Sequence, residues 1–382
     1  MPAAMGDSGR NAGGGSGAGA SVAAPYTLRG LKEFDAGAAG LTRPDRLRAT
    51  TMNATSTVMK IGVIGLGVMG QRMLGRLAGH TSMKPVIVWD ADAAAVERAL
   101  RTWPELKAAT SAQALIEEPG LHSLYIATPP VAHLDLSERA FDAGLAVLCE
   151  KPLTVDLDGA LPTIERIARE KLRAGVNFSL ASSTGLASLQ RAFGAASHRP
   201  LGALQSVELE LAFAAWPRPW QAAAGPWLAQ RGEGGFAREV LSHFIFVLQR
   251  VLGPARVLAS QVEYPADGIG AETGLKAELE AGGVPVRIWG RVGGPQADYN
   301  RMLWRGRQGE IELSEWFGQI RVREGNESSW RPLGKDEDLR SAAVADQLDH
   351  WASLIEGRSN ALPGFAEALA TQRCIEEILR QR

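Results

Sequence analysis

Apolar and polar positions along the chain fall into two rhythms. From Lys60 a short apolar run, Ile61-Gly-Val-Ile64, reads as a buried strand, and after a glycine turn the spacing of Met73, Leu74 and Leu77 predicts an amphipathic helix. Pro85 to Asp90 then reads as a strand, Ala93 to Thr102 as a helix, Ser123 to Ala127 as a strand, Leu134 to Ala143 as a helix and Ala146 to Glu150 as a strand. Connections of this length favour parallel strands joined by right-handed crossovers, so this half, ending near Phe178, is expected to be a doubly wound parallel sheet covered on both faces. Beyond Phe178 strands follow one another closely, at Gln205 to Phe213, Leu275 to Glu280, Val286 to Val292, Tyr299 to Arg305 and Glu310 to Leu313. Turn-rich gaps such as Ala281-Gly-Gly-Val-Pro285 and Gly306-Arg-Gln-Gly309 suit antiparallel hairpins. Helices are expected from about Phe236 to Leu252 and from Phe365 to Arg380. The second half is thus an α+β domain with a large open, mainly antiparallel sheet.

Residues 1–58 follow neither rhythm. Asn11 to Ala20 is almost entirely Gly, Ala and Ser, and such a stretch buries too little to offset its ordering entropy. It is expected to be a disordered extension, or one preceding an internal start at Met52 or Met59. The expected division is residues 1–58, a dinucleotide-type domain over 59–178, and a substrate-binding and oligomerisation domain over 179–382. Composition narrows the partners. The 382 residues are 45% hydrophobic and carry 41 basic against 42 acidic side chains, so no strong field steers the chain onto nucleic acid or an anionic membrane. No apolar run reaches the ~18 residues of a membrane span. Two cysteines, Cys149 and Cys374, form neither a disulfide framework nor a zinc cluster, which fits a cytoplasmic setting.

Candidate chemistry begins at Gly65-Leu66-Gly67-Val68-Met69-Gly70, after a strand and at the opening of a helix, where a dinucleotide fingerprint belongs. The first glycine makes the tight turn, the second admits the pyrophosphate and the third lets the helix pack close, while the helix N-terminus faces the phosphates. A glycine-rich turn alone is weak evidence; its context strengthens it. Asp90 ends the next strand, where a carboxylate accepts ribose hydroxyls and repels a 2′-phosphate, favouring NAD over NADP. Its plainer reading is a helix cap.

Two further segments, Ala127-Thr128-Pro129-Pro130-Val-Ala-His133 and Cys149-Glu150-Lys151-Pro152, resemble the glucose-fructose oxidoreductase and inositol dehydrogenase family, whose members join an N-terminal Rossmann domain to a C-terminal open sheet. The resemblance implies that Thr128 and Pro129 border the adenosine and ribose side of the dinucleotide, and Glu150 and Lys151 the nicotinamide side. Lys151 lies at the carboxyl edge of a parallel strand, where open α/β sheets place their crevice, and a cation there stabilises charge developing on a reacting oxygen. Read without the family, Lys151 is a surface lysine before a proline, His133 a cap or surface residue and Cys149 a small buried strand residue.

Gly234-Gly235-Phe-Ala-Arg-Glu239-Val-Leu-Ser-His243 resembles the family's glycine-rich entry to an active-site helix. Spacing of four puts Glu239 and His243 on one helical face, suiting a histidine acid-base with a carboxylate partner; a surface pair or a metal pair would have the same spacing. Departures from the family pattern are Glu239 for an aspartate, Leu241 for a glycine, and Phe246 where an acid is usual. Asn177-Phe178 looks familial, yet the arginine often found after it is missing, pointing to a less polar pocket. Eight of the ten tryptophans follow residue 200. Core or subunit interface is the simpler reading for each, and Trp227 is the pocket candidate, with Asn177 a second substrate contact.

These readings add up to an NAD-dependent oxidoreductase acting on a secondary alcohol of a small cyclic polyol, sugar or related hydroxy compound, with Lys151, Glu239 and His243 catalytic. Two other classes stay open: a lyase-type glycoside-cleaving enzyme that retains and recycles NAD, and a non-catalytic dinucleotide-responsive binding protein. An open sheet face suggests a homo-oligomer, dimer or tetramer.

Overall fold

The structure, a computed structural model, describes residues 58–194, 200–325, 327–333 and 339–381. Almost all of the expected N-terminal extension lies outside the described residues. The described residues fall within one structural unit, Ser56–Arg382.

The first sheet is built from β1 (Met59–Ile64), β2 (Met83–Trp89), β3 (Lys107–Ala108), β4 (Ser123–Ile126), β5 (Ala146–Cys149) and β6 (Ala174–Val176), with helices α1 (Val68–Ala78), α2 (Ala93–Thr102), α3 (Ala112–Ile116), α4 (His133–Asp142) and α5 (Ala160–Glu170) in the crossovers. Its strand order is β3-β2-β1-β4-β5-β6 and every pairing is parallel. Because helices cover both faces, the central strands bury every residue: all four positions of β4 and of β5 are buried. The order reverses between β1 and β4, so a crevice opens at the carboxyl ends of those strands, where such sheets bind ligands.

After α6 (Thr184–Phe193) comes β7 (Leu204–Phe213), then α7 (Ser242–Leu252), β8 (Ala255–Glu263), β9 (Gly274–Ala281), β10 (Val284–Val292), β11 (Tyr299–Gly306), β12 (Gly309–Ser314), β13 (Gln319–Glu324) and β14 (Arg331–Pro332). These strands form an eight-stranded sheet of order β14-β13-β12-β11-β7-β10-β9-β8, antiparallel except for the β7/β10 pair. Both hairpins expected from the turn residues are present. Gly282 and Gly283 take positive φ, 56° and 77°, as a two-residue hairpin turn of the right hand requires. Burial alternates along β10, with Val284, Val286 and Ile288 inward in the core and Arg287 and Arg291 outward.

The outward face of β7, β11, β12 and β13 carries two rows of alternating charge. Arg305 pairs with Glu208 at 2.5 Å and Glu310 at 3.0 Å, and Glu310 with Arg323; Arg301 pairs with Glu210 at 3.4 Å and Glu312 at 2.7 Å, and Glu312 with Arg321. Two helices close the fold, α8 (Leu339–Ile355) and α9 (Phe365–Leu379). Although α8 follows the second sheet in sequence, it packs on the first: Trp351 is fully buried beside Tyr125, its indole Nε1 donating to Ser123 Oγ at 3.0 Å. Helix α9 lies against α7 and β8. Among the described residues no helix is long and apolar enough to cross a membrane, and Cys149 and Cys374 are buried free thiols.

Candidate functional site

A cleft of about 720 Å³ runs from the glycine loop after β1 to the start of α7. It is bordered by Gly65, Gly67, Val68, Met69, Asp90, Thr128, Pro129, Glu150, Lys151, Asn177, Trp227, Glu239 and His243, so it gathers every candidate of the sequence except Gly70, which packs behind the loop. Gly65 sits at φ 92° with the Ala127 carbonyl 2.4 Å from where a Cβ would stand, and a Cβ on Gly70 would meet the Gly65 carbonyl oxygen at 1.9 Å. A Cβ on Gly67, by contrast, would meet nothing within 4 Å. Asp90 holds the loop from the end of β2: its Oδ2 accepts from the Leu66 amide at 2.6 Å and its Oδ1 from the Asp92 amide at 2.8 Å. Capping of α2 falls to Asp92, which accepts from the Ala94 amide at 2.9 Å.

Between the domains lies an ion pair. Lys151 Nζ donates to Glu239 Oε2 at 2.7 Å and to the Glu239 carbonyl at 3.2 Å, with both side chains largely buried. This corrects the expected pairing of Glu239 with His243. Residues Ala237–Leu241 form a π-turn, with the Ser242 amide bonding back to the Ala237 carbonyl, and α-helical geometry begins only at Ser242. Bonding five residues back widens the turn, and such turns concentrate at functional sites. The turn is held by Glu272, buried with Oε1 accepting from the Ala237 amide at 2.7 Å.

His243 is half-buried and packs edge to face against Phe178 at 5.6 Å between centroids, and its buried Nδ1 has no hydrogen-bond partner. Burial, then the nearby Lys151 and Arg218 cations, push its pKa well below the ordinary 6.5, so the ring is neutral at physiological pH.

Glu150 and Asn177 border the cleft and are tied to each other and to the protein around them. The Tyr125 hydroxyl donates to Glu150 Oε1, and Asn177 Nδ2 donates to the same oxygen at 2.6 Å, while Asn177 Oδ1 accepts from Gln347 of α8 at 2.7 Å. Burial raises the Glu150 carboxyl and, more strongly, the Tyr125 phenol. Asn177, expected as a substrate contact, therefore positions Glu150: both ends of its amide are engaged.

His133 is buried, not a surface residue. Its Nδ1 lies 2.9 Å from the Pro152 carbonyl and its Nε2 2.8 Å from the Thr128 carbonyl, so it clamps together the two loops that carry the motifs. Sequence reasoning also missed Tyr125 and Gln347, which carry no local signal, and Arg218, which does carry one: it is flanked by Pro217 and Pro219 within a tryptophan cluster. Of that cluster, Trp216 packs inward with its Nε1 donating to the Leu228 carbonyl at 2.9 Å, whereas Trp220 and Trp227 border the cleft.

The site fits a dinucleotide. Thr128 Oγ1 is buried at the cleft with no partner, open space lies beyond Gly67, and the N-terminus of α1 has no side-chain cap. These features meet a diphosphate and a ribose as the fingerprint requires.

Fold and site together define a two-domain protein with a dinucleotide-type crevice. Residues 59–178 match the oxidoreductase family with NAD-binding Rossmann fold, so this part of the chain is similar to the family its motifs resemble. Inositol 2-dehydrogenase of Corynebacterium glutamicum is 32% identical over 111 residues, 29% of this chain and 33% of that one. The Streptomyces avermitilis enzyme of the same name is 34% identical over 115 residues, 30% of this chain and 34% of its own. The chain thus spans about a third of the length of the curated relatives it matches. Solved structures align over much more of it. An oxidoreductase from Agrobacterium radiobacter, in complex with NAD+, L-tartaric acid and magnesium, has TM-score 0.71 at 17% identity, covering 85% of this chain and 97% of its own. A 3-ketoreductase from Actinomadura kijaniata, in complex with NADP and TDP-benzene, has TM-score 0.67 at 18% identity, with coverage of 85% and 97%. At such identities they share the fold.

Proposed function

We propose that the protein is an NAD-dependent oxidoreductase that moves hydride between nicotinamide and a secondary alcohol or ketone of a small cyclic polyol, sugar or related hydroxy compound. One observation carries this reading: the cleft that begins at the glycine loop ends at a largely buried Lys151–Glu239 pair beside a half-buried neutral histidine. A binding protein needs no such group. Similarity to inositol 2-dehydrogenases supports the substrate class.

NAD, when bound, supplies the acceptor for the carbinol hydride. The loop around Gly67 and the first turn of α1 would hold its diphosphate, and Thr128 and Asp90 its ribose; the Asp90 carboxylate disfavours a 2′-phosphate. The rest falls to the chain. Lys151 donates to the substrate oxygen and stabilises negative charge there, and Glu239 holds the ammonium in place. His243, neutral above its lowered pKa, takes the hydroxyl proton, assistance typically worth ~10² to 10⁴ in rate. Trp227 offers a flat apolar wall to a ring. We read the protein as cytoplasmic, in keeping with two free thiols, and as a homo-oligomer through the open face of the second sheet.

The test is reduced-nicotinamide absorbance with NAD or NADP over a panel of polyols, sugars and aromatic diols, for the native protein and Lys151→Ala. NAD reduction with one class, and loss of at least about a hundredfold in kcat on substitution, is the expected result. Dinucleotide binding without reduction by any panel member would overturn it in favour of an enzyme that recycles bound NAD or a binding protein.

A further inference from the structure

The substrate end of the cleft holds a cation that this chemistry does not use. Arg218 is 8% exposed and borders the cleft together with Lys151, Glu239 and His243. Its Nε donates to Gln221 Oε1 at 2.9 Å, and its guanidinium carbon lies 4.7 Å from the Trp220 ring centroid, 5.1 Å from Trp316, 5.7 Å from Phe213 and 5.8 Å from Trp216. Among the described residues no carboxylate comes within ion-pairing distance of it.

We propose that Arg218 is the recognition group for a carboxylate on the substrate, so that the compound oxidised is a hydroxy acid of the sugar series, such as an aldonic or uronic acid, rather than a neutral polyol. The inference rests on the oxidoreductase reading and names the substrate of the same site.

A buried charge is stable only when paired or otherwise stabilised. Here the aromatic ring faces supply part of that stabilisation, and burial still works against the charged form of Arg218. The acids whose charges favour its charged form are Asp298, which accepts from the Ala214 amide at 3.1 Å, and Glu239, which is bonded to Lys151; neither forms an ion pair with it. Arg72, whose guanidinium carbon lies 4.3 Å from the centroid of Trp220, one of the four rings around Arg218, adds a second positive charge rather than a balance. The site therefore binds an anion better than a neutral molecule of the same shape. Gln221 and the rings also fix the plane of the guanidinium, and Pro217 and Pro219 restrict the backbone on either side of it. A planar fork held in one orientation matches a carboxylate by paired hydrogen bonds, which a flexible ammonium would not do.

The test compares matched pairs that differ by a carboxylate in place of a hydroxymethyl group: D-gluconate with D-glucitol, D-glucuronate with D-glucose, and D-galacturonate with D-galactose. Binding of each to the NAD-loaded protein is measured by calorimetry, alongside nicotinamide reduction, for the native chain, Arg218→Met and Arg218→Lys. The native protein is expected to bind the acid of at least one pair tenfold or more tightly than its neutral partner. Arg218→Met should lower that preference about ten- to a hundredfold with the dissociation constant for NAD unchanged within twofold. If the methionine variant does not fold, Arg218→Lys carries the test: it keeps the charge but loses the fork, and should lose severalfold of the preference.

Equal binding of acid and neutral partners by the native protein overturns the proposal. So does an unaltered preference in a folded variant, or a loss of NAD affinity that matches the loss of acid affinity, which would make Arg218 a diphosphate contact. Turnover of neutral polyols without acid preference would remove the carboxylate site and leave the oxidoreductase. Arg218-dependent acid binding with no nicotinamide reduction would do the reverse.

Discussion

The two sheets of this protein bury their residues in opposite ways. Strands β4 and β5 bury every position beneath helices, and the functional groups they offer sit on the loops at their ends. The second sheet buries alternate positions, and its outward face is an array of cross-strand ion pairs in which Glu312, only 5% exposed at its side chain, joins two arginines. The first half contributes the backbone shape of the glycine loop together with Lys151; the second contributes side chains alone, Glu239, His243 and Arg218. Substitutions in the two halves should therefore fail differently.

The largest effects belong to the glycine loop, and they divide it. Gly65→Ala puts a Cβ against the Ala127 carbonyl at a positive φ, and Gly70→Ala puts one against the Gly65 carbonyl. Each should cost about 3 kcal/mol or more of stability and abolish dinucleotide binding. Gly67→Ala meets nothing in the protein, so thermal denaturation should place it within about 0.5 kcal/mol of the native chain. Its NAD affinity should nonetheless drop at least tenfold, because the added methyl enters the space where the diphosphate belongs. If Gly67→Ala bound NAD normally, the crevice would not be used as the fingerprint implies.

This division also explains what was legible in the sequence. The doubly wound sheet was readable because fully buried strands and crossover helices leave strong periodic signals, and the glycine loop because a phosphate constrains the backbone at fixed spacing. Hairpins announced themselves through Gly282-Gly283. The site's side-chain partnerships were not readable, since Lys151 finds Glu239 88 positions away and Asn177 finds Gln347 170 positions away. Local spacing pointed the wrong way for Glu239 because a nearby histidine can be read from sequence whereas a lysine brought in from another sheet cannot. Helix α8 was missed for a related reason: its buried residues face the first sheet, so its place was set by partners earlier in the chain.

A comparison of two buried tryptophans sharpens the contrast at a smaller scale. Trp351, on the first sheet, donates to Ser123 Oγ, whereas Trp304, stacked on Phe193 in the second half, has no partner for its Nε1. Truncation of either to Ala should cost about 3 to 5 kcal/mol. Replacement by Phe should separate them: Trp351→Phe loses a satisfied hydrogen bond as well as volume, so it should be the more destabilising by about 1 kcal/mol. Equal costs in urea denaturation would show that the unpaired indole is not a liability.

The ion-pair rows should respond less, and to salt. Glu312→Gln removes the carboxylate that Arg301 and Arg321 share, which should cost about 1 to 3 kcal/mol because one partner is well buried. Asp92→Asn at the exposed Arg98 contact tests the surface limit. The pair should contribute no more than about 1 kcal/mol, separable from the helix cap by a double-mutant cycle with Arg98→Ala. Raising salt from 0.05 to 1 M should shrink the Arg98 coupling more than the Glu312 effect.

The smallest expected effect compares a histidine from each half across pH. Burial lowers the pKa of both His243 and His133, but at His133 the two facing carbonyls work against burial, so the depression is greater at His243. Below about 6.5 the unfolded chain takes up protons that the folded chain refuses, so each ring's contribution to stability is complete above that pH and is lost as pH falls toward the folded value. Glu150 and Glu272, raised by burial, act in the opposite sense, contributing fully below about 4.5 and losing that contribution as pH rises through their folded values. The native profile is therefore a sum in which the two kinds of group partly cancel, and only differences between proteins isolate a ring. Between pH 7.5 and 5.5, urea denaturation should show the native chain losing up to about 1.4 kcal/mol relative to His243→Phe, the ceiling for one proton over that interval. For His133→Gln the relative loss should be smaller, since protonation lets both ring nitrogens donate to carbonyls that a neutral ring can serve only one at a time. Should His133 show the larger loss, the clamp between the Thr128 and Pro152 loops, rather than His243, would be the pH-sensitive element of the site.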